Sequence, residues 1–143
     1  MTDSSGIMAE NRGCCCGTES RRARVDDCFE RGRRRQRNDP PRRGGRPIRA
    51  RDGTGAIFDI DAVDGRIAGV RFRADSCVTL IAYCERLAEI SSGLSVGEGH
   101  RIDSETLIAS LDGVPRAKRP RAALAIAAWN AALSRIPDGK EAE

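Results

Sequence analysis

The sequence predicts an α+β domain in which a small antiparallel sheet of two or three strands carries helices on one face. Apolar residues first alternate along two segments separated by an Asp-Gly pair, and farther along the chain they recur at helical spacing. Strands followed by helices favour this class over alternating β-α units. We expect the domain to span residues 46–136, with a flexible tail over 137–143.

The first third of the chain differs from the rest in charge. Residues 1–50 contain 13 Arg and 7 acidic residues, a net of +6, whereas residues 51–143 contain 12 basic and 14 acidic residues, a net of −2. So polar a segment buries too little apolar surface to offset the entropy of ordering. We therefore expect residues 1–45 to be a largely disordered Arg-rich arm with one short helix at 24–31.

Four arginines lie within residues 32–37 of this arm. Such a run can contact phosphates or an acidic partner. No aromatic residues accompany the charge, although proteins that bind single-stranded nucleic acid usually provide them. We expect a solvated linker rather than a nucleic-acid interface.

Alternation predicts a β-hairpin over residues 56–74, because Asp64-Gly65 is a strong signal for a type I′ turn. The predicted inward residues are Phe58, Ile60, Ala62, Ala68, Val70 and Phe72. The predicted outward residues are Ile57, Asp59, Asp61, Ile67, Arg71 and Arg73. Residues 47–49 are a candidate edge strand.

Helical spacing predicts a helix over residues 77–90, with Asp75 and Ser76 as candidate caps. Its predicted buried face consists of Cys77, Leu80, Ile81, Cys84, Leu87 and Ala88, and Thr79, Arg86 and Glu89 lie elsewhere. Residues 91–99 are expected to be weakly structured because glycine discourages helix. A short helix from Asp103 or Ser104 to Leu111 and an Ala-rich helix over 122–136, introduced by Pro120, complete the prediction.

The six cysteines are Cys14, Cys15, Cys16, Cys28, Cys77 and Cys84. Three adjacent cysteines do not form the spaced pairs of a secreted disulfide framework, so we expect free thiols or metal ligands. Adjacent side chains splay in an extended chain, and we expect no defined metal site at 14–16. The sequence contains no long apolar run and no secretory signal, which favours a cytoplasmic protein that does not span a membrane.

Cys77 is the candidate functional residue. In the first turn of a helix, unpaired backbone N–H groups and the positive end of the dipole favour a thiolate, which can act as a nucleophile or a soft metal ligand. A small buried apolar side chain is the alternative that position alone leaves open. Cys84 lies two turns along the same face and is expected to be core. The single histidine, His100, is far from Cys77 in sequence, and no enzyme is predicted.

The hairpin, Cys77 and the last helix together resemble the U-type iron–sulfur cluster assembly scaffolds, the family of IscU and the N-terminal domain of NifU. The similarity covers roughly residues 25–133. Asp64-Gly65-Arg66-Ile67 with Val70-Arg71-Phe72 matches the family hairpin, and Val114-Pro115 with Lys118 fits the loop before the last helix. Residues 25–30 look like the opening helix, with Cys28 where the family has a histidine.

Members of this family hold a nascent cluster with three cysteines, and the resemblance places the second on Cys77. The first falls on Asp52, with Arg49 as a less favoured register, and the third falls on Arg121. Thr54 then takes the place of the family's aspartate. An aspartate can donate oxygen to a metal, whereas a guanidinium has no lone pair to offer.

The resemblance implies a divergent iron–sulfur assembly scaffold or carrier that binds iron or a labile cluster, or accepts sulfur, through Cys77. Asp52, and Cys28 from the arm, are the other candidate ligands, and a homodimer could bring two copies of Cys77 together. The implied partners are a sulfur donor of the cysteine desulfurase type and cluster recipient proteins. The alternative is a ligand-depleted homologue that acts as a non-catalytic binding module for assembly partners.

Overall fold

The computed structural model of the protein describes residues 22–43 and 46–136. Its strands are β1 (Ala23–Arg24), β2 (Ile48–Arg49), β3 (Gly55–Val63), β4 (Arg66–Ala74) and β5 (Leu111–Asp112). Its helices are α1 (Val25–Asn38), α2 (Val78–Ser91), α3 (Val96–His100), α4 (Ser104–Ala109) and α5 (Arg121–Leu133), with one turn of 3-10 helix at Arg116–Lys118.

Strands β2, β3 and β4 form an antiparallel sheet in that order, and β1 pairs with β5 in a short parallel ladder. The sheet and the helices packed on it confirm the predicted α+β class. Asp64 and Gly65 join β3 to β4 with φ of 54° and 78°, the left-handed values that a type I′ turn requires. The predicted edge strand is also present as β2.

A β-bulge reverses the predicted facing of two residues near this turn. Asp61 pairs with Gly69, but the next residue, Ala62, pairs with Ile67, so Ala68 is left without a partner in the ladder. Ile67 consequently faces the core at 3% exposure and Ala68 is exposed. The prediction of Ala68 inward and Ile67 outward is therefore wrong.

Asp59 is buried, although alternation predicted it on the solvent face. The segment before β2 crosses that face and supplies its partners: the backbone N–H groups of Arg42 and Arg43 donate to Asp59 Oδ2 at 2.7 and 3.2 Å, and Arg43 Nε donates to Oδ1 at 2.6 Å. Burial favours a higher pKa for Asp59, but these hydrogen bonds outweigh it and lower the pKa. The carboxylate thereby fastens the segment to the sheet.

Side chains from other elements cover the open edges of the sheet. The pairs are Arg135 with the Phe58 carbonyl (3.0 Å), Arg43 with the Ile60 carbonyl (3.1 Å), Arg35 with the Val70 carbonyl (3.3 Å) and the Ala74 N–H with Gln36 Oε1 (3.0 Å). The first two lie on β3 and the last two on β4. An edge carbonyl that accepts a hydrogen bond from a guanidinium does not need a hydrogen bond from a further strand.

Helix α1 packs along α2, and the expectation of a largely disordered arm is wrong for residues 22–43. Arg35 forms a two-point ion pair with Glu85 at 2.6 and 3.1 Å, and Arg31 Nε donates to Glu89 at 2.7 Å. The short helix predicted at 24–31 therefore extends to Asn38. The remaining parts of the arm, with Cys14, Cys15 and Cys16, and the tail over 137–143 lie outside the described residues.

Helix α2 is enclosed on nearly all sides, because α1 covers the face that the sequence pattern left to solvent. Thr79, Glu85 and Arg86 are all buried, so the prediction that Thr79 and Arg86 lie off the buried face is wrong. Cys84 is fully buried, as predicted for a core residue.

Helices α2 and α5 enclose the core against the sheet. Phe58 contacts Phe72 and Trp129 with ring centroids 5.8 and 5.3 Å apart, and Trp129 Nε1 donates to the Gly99 carbonyl at 2.9 Å. Each large side chain buried in this way contributes roughly 1.5–3 kcal/mol.

The segment predicted to be weakly structured contains helix α3. Ser95 and Glu98 form a capping box in which each side chain accepts from the other's backbone N–H, at 3.1 and 2.8 Å. Asp103 caps α4, as predicted, but α4 ends at Ala109 because Leu111 pairs with β1. Helix α5 begins one residue earlier and ends three residues earlier than predicted.

Within residues 22–43 and 46–136, the helices are too short or too polar to cross a membrane.

Replacing Gly32 by alanine tests the contact between α1 and α2. A Cβ at Gly32 would lie 2.9 Å from Ile81 Cγ2 and 3.0 Å from Glu85 Cβ. We expect Gly32→Ala to lower the free energy of unfolding by about 1–2 kcal/mol in chemical denaturation, because overpacking outweighs the gain in helix propensity. Gly97→Ala is the control, since its new Cβ would come only within 3.9 Å of Ser95 Oγ. Equal stabilities for both variants would contradict this close packing.

Candidate functional site

Cys77 lies at the junction between β4 and α2. Its backbone is extended, with φ −145° and ψ 114°, which makes it the N-cap of α2 rather than a first-turn residue. Its carbonyl accepts from the Ile81 N–H at 3.0 Å, and its side chain makes no capping hydrogen bond. Cys77 is half-buried. Its sulfur is therefore free to interact with groups outside the helix.

Asp52 lies in the tight loop that joins β2 to β3. Gly53 has φ +91°, and the Ala50 N–H donates across the loop to the Thr54 carbonyl at 2.8 Å. Asp52 Oδ1 accepts from the Thr54 N–H at 2.9 Å, so the carboxylate is oriented by its own loop.

Asp75 ties this loop to the end of β4. Its carboxylate accepts from the Gly55 N–H at 2.8 Å, and its N–H donates to the Gly55 carbonyl at 3.0 Å. Arg49 donates to the Gly53 carbonyl at 2.8 Å and reaches Asp75 at 3.4 Å. The prediction that Asp75 or Ser76 caps α2 is wrong, because Cys77 is the N-cap and Asp75 binds Gly55 instead. This bridging role has no local sequence signal, because it depends on pairing between distant segments.

Arg121, the first residue of α5, links the loop to Cys77. Its guanidinium donates to Asp52 Oδ2 at 2.5 Å and to Thr54 Oγ1 at 3.4 Å. The same guanidinium lies close enough to Cys77 to interact with its sulfur electrostatically. Asp52, Cys77 and Arg121, which come from three separate parts of the chain, are therefore gathered at one place.

The Asp52–Arg121 pair dominates the electrostatics of the site. The hydrogen bond from Arg121 and those within the Thr54 turn hold the pKa of Asp52 well below its ordinary value. Asp52 is more than half exposed, whereas Arg121 is 16% exposed. The site thus presents a half-buried thiol beside a guanidinium that an exposed carboxylate holds in place.

The sequence model of the family described as NifU-like N terminal domain matches this chain over residues 55–142, which is more than half of its length. The chain belongs to the NifU-like N-terminal domain family. No curated protein matches the sequence. This family comprises scaffolds of iron–sulfur cluster assembly rather than catalytic enzymes, so the resemblance to IscU and NifU is confirmed at the family level.

The residues gathered here do not fit an iron–sulfur cluster of the kind with which the NifU-like family is associated. Such a cluster needs four ligands, which are most often thiolates. The site offers one cysteine sulfur and one carboxylate, and the guanidinium of Arg121 beside them is a cation without a lone pair. Among the residues that the structure describes, no three His, Cys, Asp or Glu side chains are grouped to hold a metal.

The structure does not bring Cys28 to this site. Cys28 is fully buried on α1, where Arg31 donates to its sulfur at 3.3 Å and Glu89 lies 3.8 Å away. Glu89 is twelve residues beyond Cys77, about 18 Å along a helix. Burial, followed by the charge of Glu89, raises the pKa of the Cys28 thiol to about 12. Burial also raises the pKa of Cys84.

Lys118, the other family-matched position, lies in the exposed 3-10 turn before α5. Within the described ranges its side chain makes no hydrogen bond or ion pair, and its role stays a prediction. Arg49, the less favoured register for the first ligand, lies beside the Asp52 loop and donates to the Gly53 carbonyl.

The titration of Asp52 tests the ion pair. In the intact protein we expect the pKa of Asp52 to lie below the ordinary aspartate value of about 3.9. In Arg121→Ala we expect this pKa to rise toward the ordinary value. A lowered pKa stabilises the fold above the unfolded-state value, and that stabilisation is lost only as the pH falls through the folded-state pKa. Carbon-13 NMR of the side-chain carboxyl measures this directly. Arg101→Ala should leave the titration unchanged, and an equal titration in all three proteins would exclude the pair.

Proposed function

We propose that this protein accepts sulfur on Cys77 during iron–sulfur cluster assembly and does so without holding a cluster between three thiolates. The single observation that carries the proposal is the position of Arg121, whose guanidinium interacts with both Asp52 and Cys77. A cation at this point disfavours iron ions and favours an anionic sulfur species.

The reaction needs only a thiolate and a donor of sulfane sulfur. The Cys77 thiolate attacks the outer sulfur of a persulfide on the donor protein, and a new S–S bond forms at Cys77. The S–S bond of the donor breaks, and its cysteine leaves as a thiolate. Sulfane sulfur moves from one cysteine to the other, so no external oxidant or reductant is consumed.

Arg121 has a defined part in this reaction. A persulfide is a stronger acid than a thiol. Once Cys77 has received sulfur, the outer sulfur of its persulfide is therefore anionic at neutral pH. Arg121 stabilises that anion by a charge-assisted hydrogen bond. Asp52 and Thr54 are positioning residues, because they hold the guanidinium through hydrogen bonds at 2.5 and 3.4 Å.

The proposed partners are a cysteine desulfurase-type protein that supplies sulfur and a protein that receives it. The half-buried Cys77 is accessible to a donor's active-site loop, whereas Cys28 and Cys84 are fully buried. We include a cytoplasmic location in the same proposal, because thiols stay reduced in the cytoplasm.

A second candidate function is a non-catalytic module that binds assembly partners. The Asp52–Arg121 ion pair favours it, because the pair joins the loop to α5 without requiring a metal. In this case the intact protein would bind assembly partners without gaining sulfur on Cys77, and that binding would survive Cys77→Ser. Sulfur loading of Cys77 in the intact protein therefore separates the two candidates.

Sulfur loading of Cys77 is the main test. After incubation with a cysteine desulfurase and cysteine, we expect peptide mass spectrometry to find one added sulfur atom on Cys77. Cys77→Ser should lose it and Cys84→Ala should keep it. Arg121→Ala should slow loading roughly 10- to 100-fold, because one charge-assisted hydrogen bond contributes about 1.5–3 kcal/mol. Unmodified Cys77 in the intact protein, with a donor that loads other thiols, would refute the proposal.

Placing cysteines at Asp52 and Arg121, where the family has cysteines, tests the proposal that this protein holds no cluster. The unaltered chain should stay colourless and iron-free after anaerobic reconstitution. The double variant Asp52→Cys with Arg121→Cys should gain iron and visible absorption, because three thiolates then meet. The control pairs Asp52→Cys with Arg101→Cys, which adds the same number of thiols at separate places. Stoichiometric iron in the unaltered chain would contradict the absence of a cluster.

A further inference from the structure

A cleft of about 280 Å³ lies on the sheet face opposite the helices. Four of its nine lining residues are the arginines Arg42, Arg43, Arg49 and Arg73, and only Asp75 among the nine is acidic. Ile57 and two prolines complete most of its wall. The lining is therefore strongly cationic.

Two of these guanidinium groups are already engaged. Arg43 binds the buried Asp59 at 2.6 Å, and Arg49 donates to the Gly53 carbonyl at 2.8 Å while facing Asp75 at 3.4 Å. These bonds fix the two side chains along the wall of the cleft, and the carboxylates balance part of their charge.

The other two carry charge that the surrounding residues do not balance. Among the residues that the structure describes, the Arg42 guanidinium pairs only with Asp39, at 3.6 Å, and both side chains are at least half exposed. Arg73 is exposed, and within residues 22–43 and 46–136 its side chain makes no hydrogen bond or ion pair. Exposed pairs of the Arg42 kind contribute little stability, so both groups are available to an anion.

We propose that this cleft binds a carboxylate-rich segment of the protein that delivers sulfur to Cys77, an inference that rests on the function proposed above. Guanidinium groups bind carboxylates through two parallel hydrogen bonds. No aromatic side chain lines the cleft, and single-stranded nucleic acids are usually bound by stacking on such side chains. The lining therefore favours an acidic peptide over a nucleic acid.

The position of the cleft connects it with sulfur delivery. Asp75 lines the cleft and precedes Cys77 by two residues, a span of at most about 7 Å in an extended chain. Gly55, also in the lining, directly follows the loop that holds Asp52 and Thr54. A donor whose acidic segment occupies the cleft would therefore hold its own cysteine close to Cys77.

An exposed apolar residue completes this surface. Val78 follows Cys77 and is 48% exposed. A partner seated in the cleft can cover Val78 as it approaches the thiol. Charge in the cleft would then steer the encounter, and apolar contact beside Cys77 would hold it.

Two synthetic peptides with the same persulfidated cysteine test the proposal. One carries a run of Asp and Glu, and the other carries Ser and Gln at the same positions. At low salt we expect the acidic peptide to transfer sulfur to Cys77 about ten times faster, which is the lower range of electrostatic steering. Near 1 M salt, where the Debye length falls to about 3 Å, the two rates should converge.

Charge reversal locates the effect. Arg42→Glu and Arg73→Glu should each abolish the advantage of the acidic peptide while leaving the neutral peptide's rate unchanged. Arg101→Glu is the matched control, because Arg101 is exposed and ends α3, which packs against Ile67. Ile67 is six residues from Arg73 along β4, about 20 Å away.

The outcomes separate the cleft from the function of Cys77. Equal transfer rates for the two peptides would overturn the proposal that the cleft binds an acidic segment, while the proposed transfer of sulfur to Cys77 would stand. Transfer from neither peptide would overturn the proposed function. The cleft would then be judged by fluorescence anisotropy of the thiol-free acidic peptide, where binding lost in Arg73→Glu supports it and no binding overturns it. Tighter binding of a single-stranded oligonucleotide at the same arginines would overturn the choice of partner.

Discussion

The burial of Glu85 in the middle of α2 is the constraint on which the rest of the structure depends. A buried carboxylate without a cationic partner costs several kcal/mol, and here the partner is Arg35 on α1, bound at 2.6 and 3.1 Å. Helix α1 must therefore lie against α2, and Gly32 allows the close approach. Because Arg35 also donates to the Val70 carbonyl, one side chain joins α1 to both α2 and β4. These are the two elements whose junction holds Cys77.

The hairpin and the long helices could be predicted because their signals are local. Alternation and the Asp64-Gly65 turn define β3 and β4, and helical spacing defines α2 and α5. Helix α1 was underestimated because its polar residues satisfy their charges on α2, 50 to 58 positions away in sequence. Asp59 was misplaced for the same reason, since the residues that bury it come from the segment before β2. Periodicity cannot report partners that only the tertiary structure brings together.

The candidate site could be predicted only through the family resemblance. No local pattern connects Asp52, Cys77 and Arg121, yet the structure gathers them. The resemblance gave the positions but not the bond between Asp52 and Arg121. A cluster bound by three cysteines would tie the loop, α2 and α5 together through metal. Here an ion pair makes the link between the loop and α5, and an exposed pair of this kind contributes little stability by itself. The NifU-like geometry is therefore maintained mainly by the packing of α5 on the sheet.

The covered sheet edges limit how other proteins can be recruited. Many peptide-binding domains recognise a partner by β-augmentation, in which an incoming strand pairs with exposed backbone groups at a sheet edge. In this protein the carbonyls of Phe58, Ile60 and Val70 already accept from arginines. An added strand would have to displace guanidinium groups that also bind carboxylates elsewhere, as Arg35 and Arg43 do. A partner must therefore bind the side chains and charges of this protein rather than its backbone. The specificity of that binding depends on individual residues, which can be substituted one at a time.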